Sequence, residues 1–186
     1  MPRSRGPLPH DSSSLRNGRE RPKPYPSDHE TEPVPSRRDQ IQMTDEEVHG
    51  FLAEKMVMQC ATNGPRGVPH LVPVWFVTDG PDLISWTYAK SQKAKNLERD
   101  PRATLGIEDG VQYHELRGLM FECGVELERD VRRIEQVGLR LFARYAGDLG
   151  PEIREMVAAQ AQKRVGLRFV PARVVSWDHR KLAGAY

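Results

Sequence analysis

Six stretches of the chain are rich in apolar, β-branched or aromatic residues and are separated by turn-forming residues, the pattern of β-strands. Between them, apolar residues recur at the spacing of three and four residues that is typical of helices. A short amphipathic helix follows Thr44, where Glu47 stands at the capping-box position. The predicted strands cover residues 56–62, 68–78, 83–88, 102–108, 113–127 and 166–177, and the later helices cover residues 90–99, 129–146 and 151–163.

The order of these elements predicts the fold class. Strands and helices do not alternate one by one, so a parallel doubly wound sheet is excluded. Six strands with helices at one flank predict an α+β protein built around an antiparallel barrel. Gly118 and Gly124 interrupt the longest predicted strand, and we expect bends or bulges there, as closing a small barrel requires.

The beginning of the chain has the composition of a disordered tail. Eight of the 15 prolines lie before residue 40, among Ser, Arg and Glu and almost no large apolar residues. Such a segment cannot bury enough apolar surface to offset the entropy lost on ordering. We therefore expect a disordered tail over residues 1–42 and one folded domain over residues 43–186.

Charge and hydropathy narrow the classes of partner. Residues 1–40 carry eight Lys and Arg against six Asp and Glu, so the net charge of +2 belongs to the tail. The folded part has no basic excess with which to neutralise a nucleic acid. No segment has the apolar length needed to cross a bilayer, and no signal peptide is visible. We expect a cytoplasmic protein with neither nucleic acid nor membrane as partner.

The two cysteines predict structural thiols. Cys60 and Cys123 both lie in apolar stretches, and neither has the Cys or His spacing of a metal site. Buried, reduced side chains are expected, and no metal site is predicted.

One predicted helix starts with residue types that bind phosphate. Ser91 stands at the start of the helix that follows the third strand, with Lys90, Lys93 and Lys95 around it. Free backbone N–H groups, a hydroxyl and ammonium groups can together hold a phosphate. The alternative is a solvated, lysine-rich turn. Basic residues near the N-terminus of a helix interact unfavourably with the positive end of the helix dipole. An anion bound among them would offset this repulsion.

The apolar strand over residues 69–76 carries two prolines, Pro69 and Pro73. Proline cannot donate to a central ladder, so this strand is predicted to lie at a sheet edge or to be freed locally. A planar ring is one partner that it could face. The alternative is that Trp75 and Phe76 merely fill the core.

Four segments in this order resemble the pyridoxamine 5'-phosphate oxidase-like split-barrel superfamily, and most of all its deazaflavin-dependent reductases, which use coenzyme F-420. The resemblance covers about residues 43–186 and implies a six-stranded antiparallel split β-barrel with flanking helices. It also implies a homodimer with the cofactor in a groove at the interface. The segments are 69–76, 91–102, 118–124 and 174–182.

The resemblance implies which residues bind the cofactor. The phosphate would lie between the third strand and the short helix, the backbone of residues 72–75 would face the ring, and Trp177 would border it. Flavin-using oxidases of the superfamily have arginine immediately before the phosphate-binding lysine, and Gln92 at that position favours F-420 over FMN. The implied set is Val72, Pro73, Val74, Trp75, Thr87, Ser91, Gln92, Lys93, Lys95, Asn96 and Trp177.

The implied function is that of an oxidoreductase in which reduced F-420 gives hydride to a small oxidised substrate. Two alternatives remain open: an FMN-dependent oxidoreductase of the same family, and a flavin- or ligand-binding protein without catalysis. The catalytic acid is not assigned. His70 and Tyr88 are candidates only by residue type and by their closeness in sequence to the predicted site.

Overall fold

A computed structural model describes residues 36–182 as one antiparallel sheet with helices around it. The predicted disorder of residues 1–35 lies outside the described residues. Within that range no helix is both long and apolar enough to span a membrane. The strands are β1 (Val57–Asn63), β2 (Pro69–Trp75), β3 (Val77–Asp79), β4 (Asp82–Tyr88), β5 (Arg102–Asp109), β6 (Arg117–Glu128) and β7 (Arg164–Asp178). The helices are α1 (Arg37–Gln40), α2 (Asp45–Glu54), α3 (Gln92–Arg99), α4 (Val131–Ala146) and α5 (Pro151–Ala161).

The strand order is β2-β1-β5-β6-β7-β4-β3. β2 and β3 therefore lie at opposite ends of the sheet, although Phe76 alone separates them in the chain. The sheet must curl until its two ends come together, and the predicted α+β split-barrel class is confirmed. The expected edge position of the proline-bearing β2 is also confirmed, because among residues 36–182 this strand pairs only with β1.

The prediction of six strands is wrong by one. The stretch over residues 68–78 forms two strands because its first half pairs with β1 and its second half pairs with β4. Phe76, at the joint, is completely buried. Its N–H donates to the Tyr145 hydroxyl at 3.0 Å, and the same hydroxyl lies within hydrogen-bonding reach of the carbonyls of Met56 and Phe76. Backbone groups that leave the ladder here are thus paired by one α4 side chain.

Two apolar clusters hold the fold together. The larger fills the barrel with side chains such as Met58, Leu105 and Phe169, which are fully buried. The smaller lies between the α4–α5 hairpin and the β3–β4 pair. The predicted free, buried thiols of Cys60 and Cys123 are confirmed. Burial raises the pKa of Cys60 to about 11 and that of Cys123 to about 12, so both are protonated at neutral pH.

The described structure begins before Met43. Residues 36–42, which composition places in the tail, include the helical turn α1, capped by Ser36 and Asp39. The carbonyl of Ile41 accepts a hydrogen bond of 2.7 Å from the Asp178 N–H, so this segment is joined to the end of β7. The capping box of α2, formed by Thr44 and Glu47, is present as predicted.

The irregularity of the β6–β7 pairing is not at the glycines of β6. The register shifts between Glu122 and Cys123, where β7 carries one extra residue, Ala172. The bulges expected at Gly118 and Gly124 are therefore not present in this pairing. Gly118 is needed for another reason. A Cβ atom there would lie 2.3 Å from the Trp177 ring and 2.7 Å from the carbonyl oxygen of Ile107. Gly124 has open space at the corresponding position.

Gly118→Ala should therefore destabilise the fold by about 2–3 kcal/mol, because an overpacked side chain forces the Trp177 ring or the backbone to move. Gly124→Ala on the same strand is the matched control and should change the free energy of unfolding by less than about 1 kcal/mol. Urea denaturation of both variants measures the difference. Equal effects would contradict the packing assigned to Gly118.

Candidate functional site

A groove of about 530 Å³ opens beside the chain crossing at Phe76. It brings together residues from β1, β2, β4, β7, α3 and α4. Five of the predicted site residues contribute to it: Pro73, Val74, Trp75, Thr87 and Lys93. The remaining lining residues are Val57, Ser85, Trp86, Phe142 and Arg164.

The N-terminal turn of α3 forms one end of this site. Ser91 is the N-cap, and its hydroxyl oxygen accepts a hydrogen bond of 3.2 Å from the Ala94 N–H. The hydroxyls of Ser91 and Thr87 share a second hydrogen bond of 3.2 Å. No acidic residue lies in the first turn of α3. The positive end of the helix dipole is therefore not balanced by its own side chains.

Lys93 is a largely buried cation that no anion within residues 36–182 neutralises. It is only 6 % exposed, and among residues 36–182 it has no hydrogen bond or ion pair. Burial lowers the pKa of its ammonium group, and the charge of Arg164 lowers it further, while Cys60 opposes the shift. None of the lining residues is a carboxylate. A buried charge without a partner is costly, and a bound anion would supply the partner that is missing.

Arg164 is the second cation of the groove. Its Nε and Nη2 atoms donate to Gln160 Oε1 at 3.0 and 2.6 Å. Its guanidinium carbon lies 4.2 Å from the ring centroids of both Trp86 and Tyr88. Sequence reasoning missed this residue because the last strand was predicted to begin at Gly166. Only the β4–β7 register, which pairs Tyr88 with Arg164, identifies it.

Aromatic side chains form part of the groove wall. The Trp75 ring stacks on Tyr145 at 4.2 Å with an interplanar angle of 13°. Phe142 meets the edges of Trp75 and Trp86 at centroid distances of 6.0 and 6.4 Å. Trp75 is still 44 % exposed, which leaves apolar surface for a ligand. The groove thus combines aromatic surface suited to a ring with two cations suited to an acidic group.

The other predicted site residues do not line this groove in the single chain. Gln92 is exposed and donates to Asn96 at 2.8 Å, and Asn96, fully buried, donates to the Thr62 hydroxyl at 3.0 Å. Lys95 is exposed on α3, and Val72 packs against the barrel core. Ser91 is the N-cap of α3 and is not among the groove-lining residues. Trp177 packs on Gly118 near the C-terminal end of β7.

The candidate proton donors differ in position. Tyr88 is 51 % exposed beside Arg164, at the margin of the groove. His70 lies on β2 opposite Thr62 and outside the groove lining. Neither position identifies its residue as a catalytic acid, and the catalytic acid stays unassigned.

The chain matches a protein-family model described as pyridoxamine 5'-phosphate oxidase over residues 44–178. It belongs to this family. The match spans the barrel from the start of α2 to the end of β7 and includes every residue that lines the groove. No curated protein matches the chain.

Several solved structures are similar to the chain. A conserved hypothetical protein from Mycobacterium tuberculosis is 40% identical, with a TM-score of 0.74 over 80% of this chain and 93% of that one. An F-420 reductase is 26% identical, with a TM-score of 0.55 over 68% of this chain and 94% of that one. The heme storage protein HutZ from Vibrio cholerae is 22% identical, with a TM-score of 0.58 over 72% of this chain and 96% of that one. This likeness shows the fold alone.

Lys93→Met should make the ligand-free protein more stable, by at least about 1 kcal/mol, because an apolar side chain of similar length removes the buried unpaired charge. The folded-state pKa of Lys93 is lowered, so the penalty is fully present below that pKa and disappears as the pH rises past the ordinary pKa of lysine. The gain measured by thermal unfolding should therefore be largest at neutral pH. Lys95→Met, at an exposed position of the same helix, should leave the melting temperature unchanged. A Lys93→Met variant that unfolds more easily would contradict the unpaired charge.

Proposed function

We propose that this protein is a cytoplasmic oxidoreductase that binds reduced coenzyme F-420 in the groove and passes hydride to a small oxidised substrate. The observation that carries the proposal is the buried, unpartnered Lys93 at the cationic end of an aromatic-walled groove. Membership of a flavin-binding family supports the cofactor class. The likeness to an F-420 reductase and the glutamine at position 92 favour the deazaflavin over FMN.

The residues present fit such a cofactor. Lys93 would bind the phosphate, and N–H groups of the first turn of α3 would add to its binding. Trp75 and Phe142 would bound the ring and exclude water from one of its sides. When bound, F-420 supplies a hydride to an electrophilic carbon of the substrate. The protein contributes binding, orientation and fixed positive charge near the acidic part of the ligand.

The alternative cofactor is FMN, which offers the same combination of ring and phosphate. The groove would fit either cofactor, because Lys93 would bind the phosphate and the aromatic side chains would pack against the ring of both. A flavin- or ligand-binding protein without catalysis is the third candidate, and turnover separates it from the first two.

Fluorescence titration with F-420 and with FMN is the direct test of the site. Lys93→Gln should weaken binding of the preferred cofactor about tenfold or more, because a charge-assisted hydrogen bond is lost. Lys95→Gln removes the same charge from the exposed side of α3 and should change the dissociation constant less than about twofold.

The titration also separates the candidates. Binding of F-420 with substrate-dependent oxidation of its reduced form is the result expected. Binding of FMN alone would favour the alternative oxidoreductase, and tight binding without any turnover would favour the binding protein. No binding of either cofactor would refute the proposed function.

The proposal includes a homodimer, in line with a family that is typically oligomeric. One face of the sheet carries a row of neighbours across β2, β1, β5 and β6, namely Leu71, Ala61, Thr104 and Glu122. Directly opposed residues point to the same face. Leu71 is 61 % exposed there, and a cavity of about 660 Å³ lies beside it on this surface. A second copy would cover the exposed Leu71 side chain together with its neighbours Thr104 and Glu122.

Leu71→Arg should weaken this dimer, because it replaces an apolar side chain of the proposed interface with a long charged one. Val68→Arg is the matched control: Val68 is 62 % exposed but precedes the strand. Sedimentation velocity at micromolar concentration should show a dimer for the wild type and the control, and monomer for Leu71→Arg. A monomeric wild type would refute the dimer.

A further inference from the structure

Arg164 forms no ion pair with a carboxylate among the residues that the structure describes. Eight others form ion pairs with carboxylates: Arg102, Arg117, Arg129, Arg133, Arg140, Arg168, Arg173 and Arg180. Arg164 has a neutral partner instead, the amide oxygen of Gln160. Its positive charge is therefore not compensated by an acidic side chain, although the residue is half-buried.

The position of the guanidinium is fixed on several sides. Trp86 and Tyr88 each present a ring centroid 4.2 Å from its central carbon, and Gln160 accepts from two of its nitrogens. Such contacts hold the planar group in place without neutralising it. Burial lowers the pKa of Arg164, and Tyr88 opposes the shift. An arginine that is both immobilised and unneutralised is prepared to bind an anion, since little side-chain entropy remains to be lost.

Arg164 and Lys93 line the same groove, and no lining residue carries a negative charge. Two cations brought close together repel each other, which destabilises the empty groove and favours a ligand that carries more than one negative charge. A planar guanidinium also matches the paired oxygens of a phosphate or carboxylate, whereas the lysine acts as a point charge. The two residues therefore differ in chemistry and complement each other around one acidic group.

We infer that Arg164 is a second anion-binding residue of the groove and that it acts with Lys93 on the phosphate of the ligand, with Gln160 as its positioning residue. This inference rests on the proposed phosphate site but not on the proposed hydride transfer. It assigns recognition of the phosphate jointly to the start of β7 and to α3, two segments that are about 70 positions apart in the chain.

The test compares a phosphorylated ligand with its dephosphorylated counterpart, so that the ring contacts cancel. FMN and riboflavin form one such pair, and F-420 and its phosphate-free deazaflavin form the other. In the wild type the phosphorylated member should bind more tightly. Arg164→Gln should reduce this preference about tenfold or more while leaving the affinity for the phosphate-free member within about twofold.

Matched variants give the comparison its controls. Lys163→Gln removes a charge from the adjacent exposed residue, which does not line the groove, and should preserve the preference. Arg164→Lys keeps the positive charge but loses the planar guanidinium group. This variant should therefore retain only part of the preference for the phosphorylated ligand. Gln160→Ala should lower the preference less than Arg164→Gln, because the rings still support the guanidinium.

The double variant Lys93→Gln with Arg164→Gln shows whether both residues act on one group. If they do, the two single effects should not add, because each cation loses part of its effect without the other. Additive effects would mean separate anions and would overturn the shared phosphate. An Arg164→Gln variant with unchanged preference would refute the inference alone, provided that Lys93→Gln abolishes the preference. A wild type without any preference would refute the proposed phosphate site as well.

A competition experiment with inorganic phosphate distinguishes a site for a phosphorylated cofactor from a site for free phosphate. Competition by inorganic phosphate should require concentrations far above the dissociation constant of the full ligand, because the ring contacts are missing. Arg164→Gln should weaken this competition as well. If inorganic phosphate bound as tightly as the full ligand, the groove would be a site for free phosphate, and its assignment to a ring-bearing ligand would be overturned.

Discussion

The crossing of the chain at Phe76 is the constraint on which the rest of the structure depends. One residue joins the two ends of a seven-stranded sheet, and its backbone groups cannot stay in either ladder. Tyr145 pairs them from α4, and Ser85 donates to the neighbouring Trp75 carbonyl at 2.7 Å. Arg144, next in α4, donates to the Leu52 and Lys55 carbonyls. The same contacts that close the barrel therefore fix α4 and the aromatic wall of the groove.

The groove keeps two positive charges that the fold does not compensate, and this costs stability. Lys93 is largely buried and has no hydrogen-bond or ion-pair partner in the described part of the chain, and Arg164 donates to a neutral amide. Side chains of the barrel core such as Leu105 and Phe169 are fully buried. The free energy gained from burying them offsets the cost of the two uncompensated charges. Sites that must bind a charged ligand are commonly less stable than they could be, because the ligand itself completes the electrostatics.

The sequence was sufficient for the features that depend on local pattern. The fold class, the helix caps, the edge position of β2 and the free cysteines all follow from spacing and residue type. Other features depend on contacts between distant segments. The division at Phe76 arises because β2 and β3 pair with different strands, and Gly118 is required by the approach of Trp177. Arg164 joins the site only through its register with Tyr88, which no local pattern encodes.

Trp177 connects the proposed site to the proposed dimer. Arg164 begins β7 and lines the groove, whereas Trp177 stands near the other end of this 15-residue strand. β7 curls with the barrel, so its length does not give the distance through space between these two residues. Trp177 is not among the residues that line the groove of the single chain. In the proposed dimer, the second copy would be the source of a Trp177 side chain at the groove. The role that the family resemblance implies for this residue is therefore tied to the proposed dimer, whereas the roles proposed for Lys93 and Arg164 are available within a single chain.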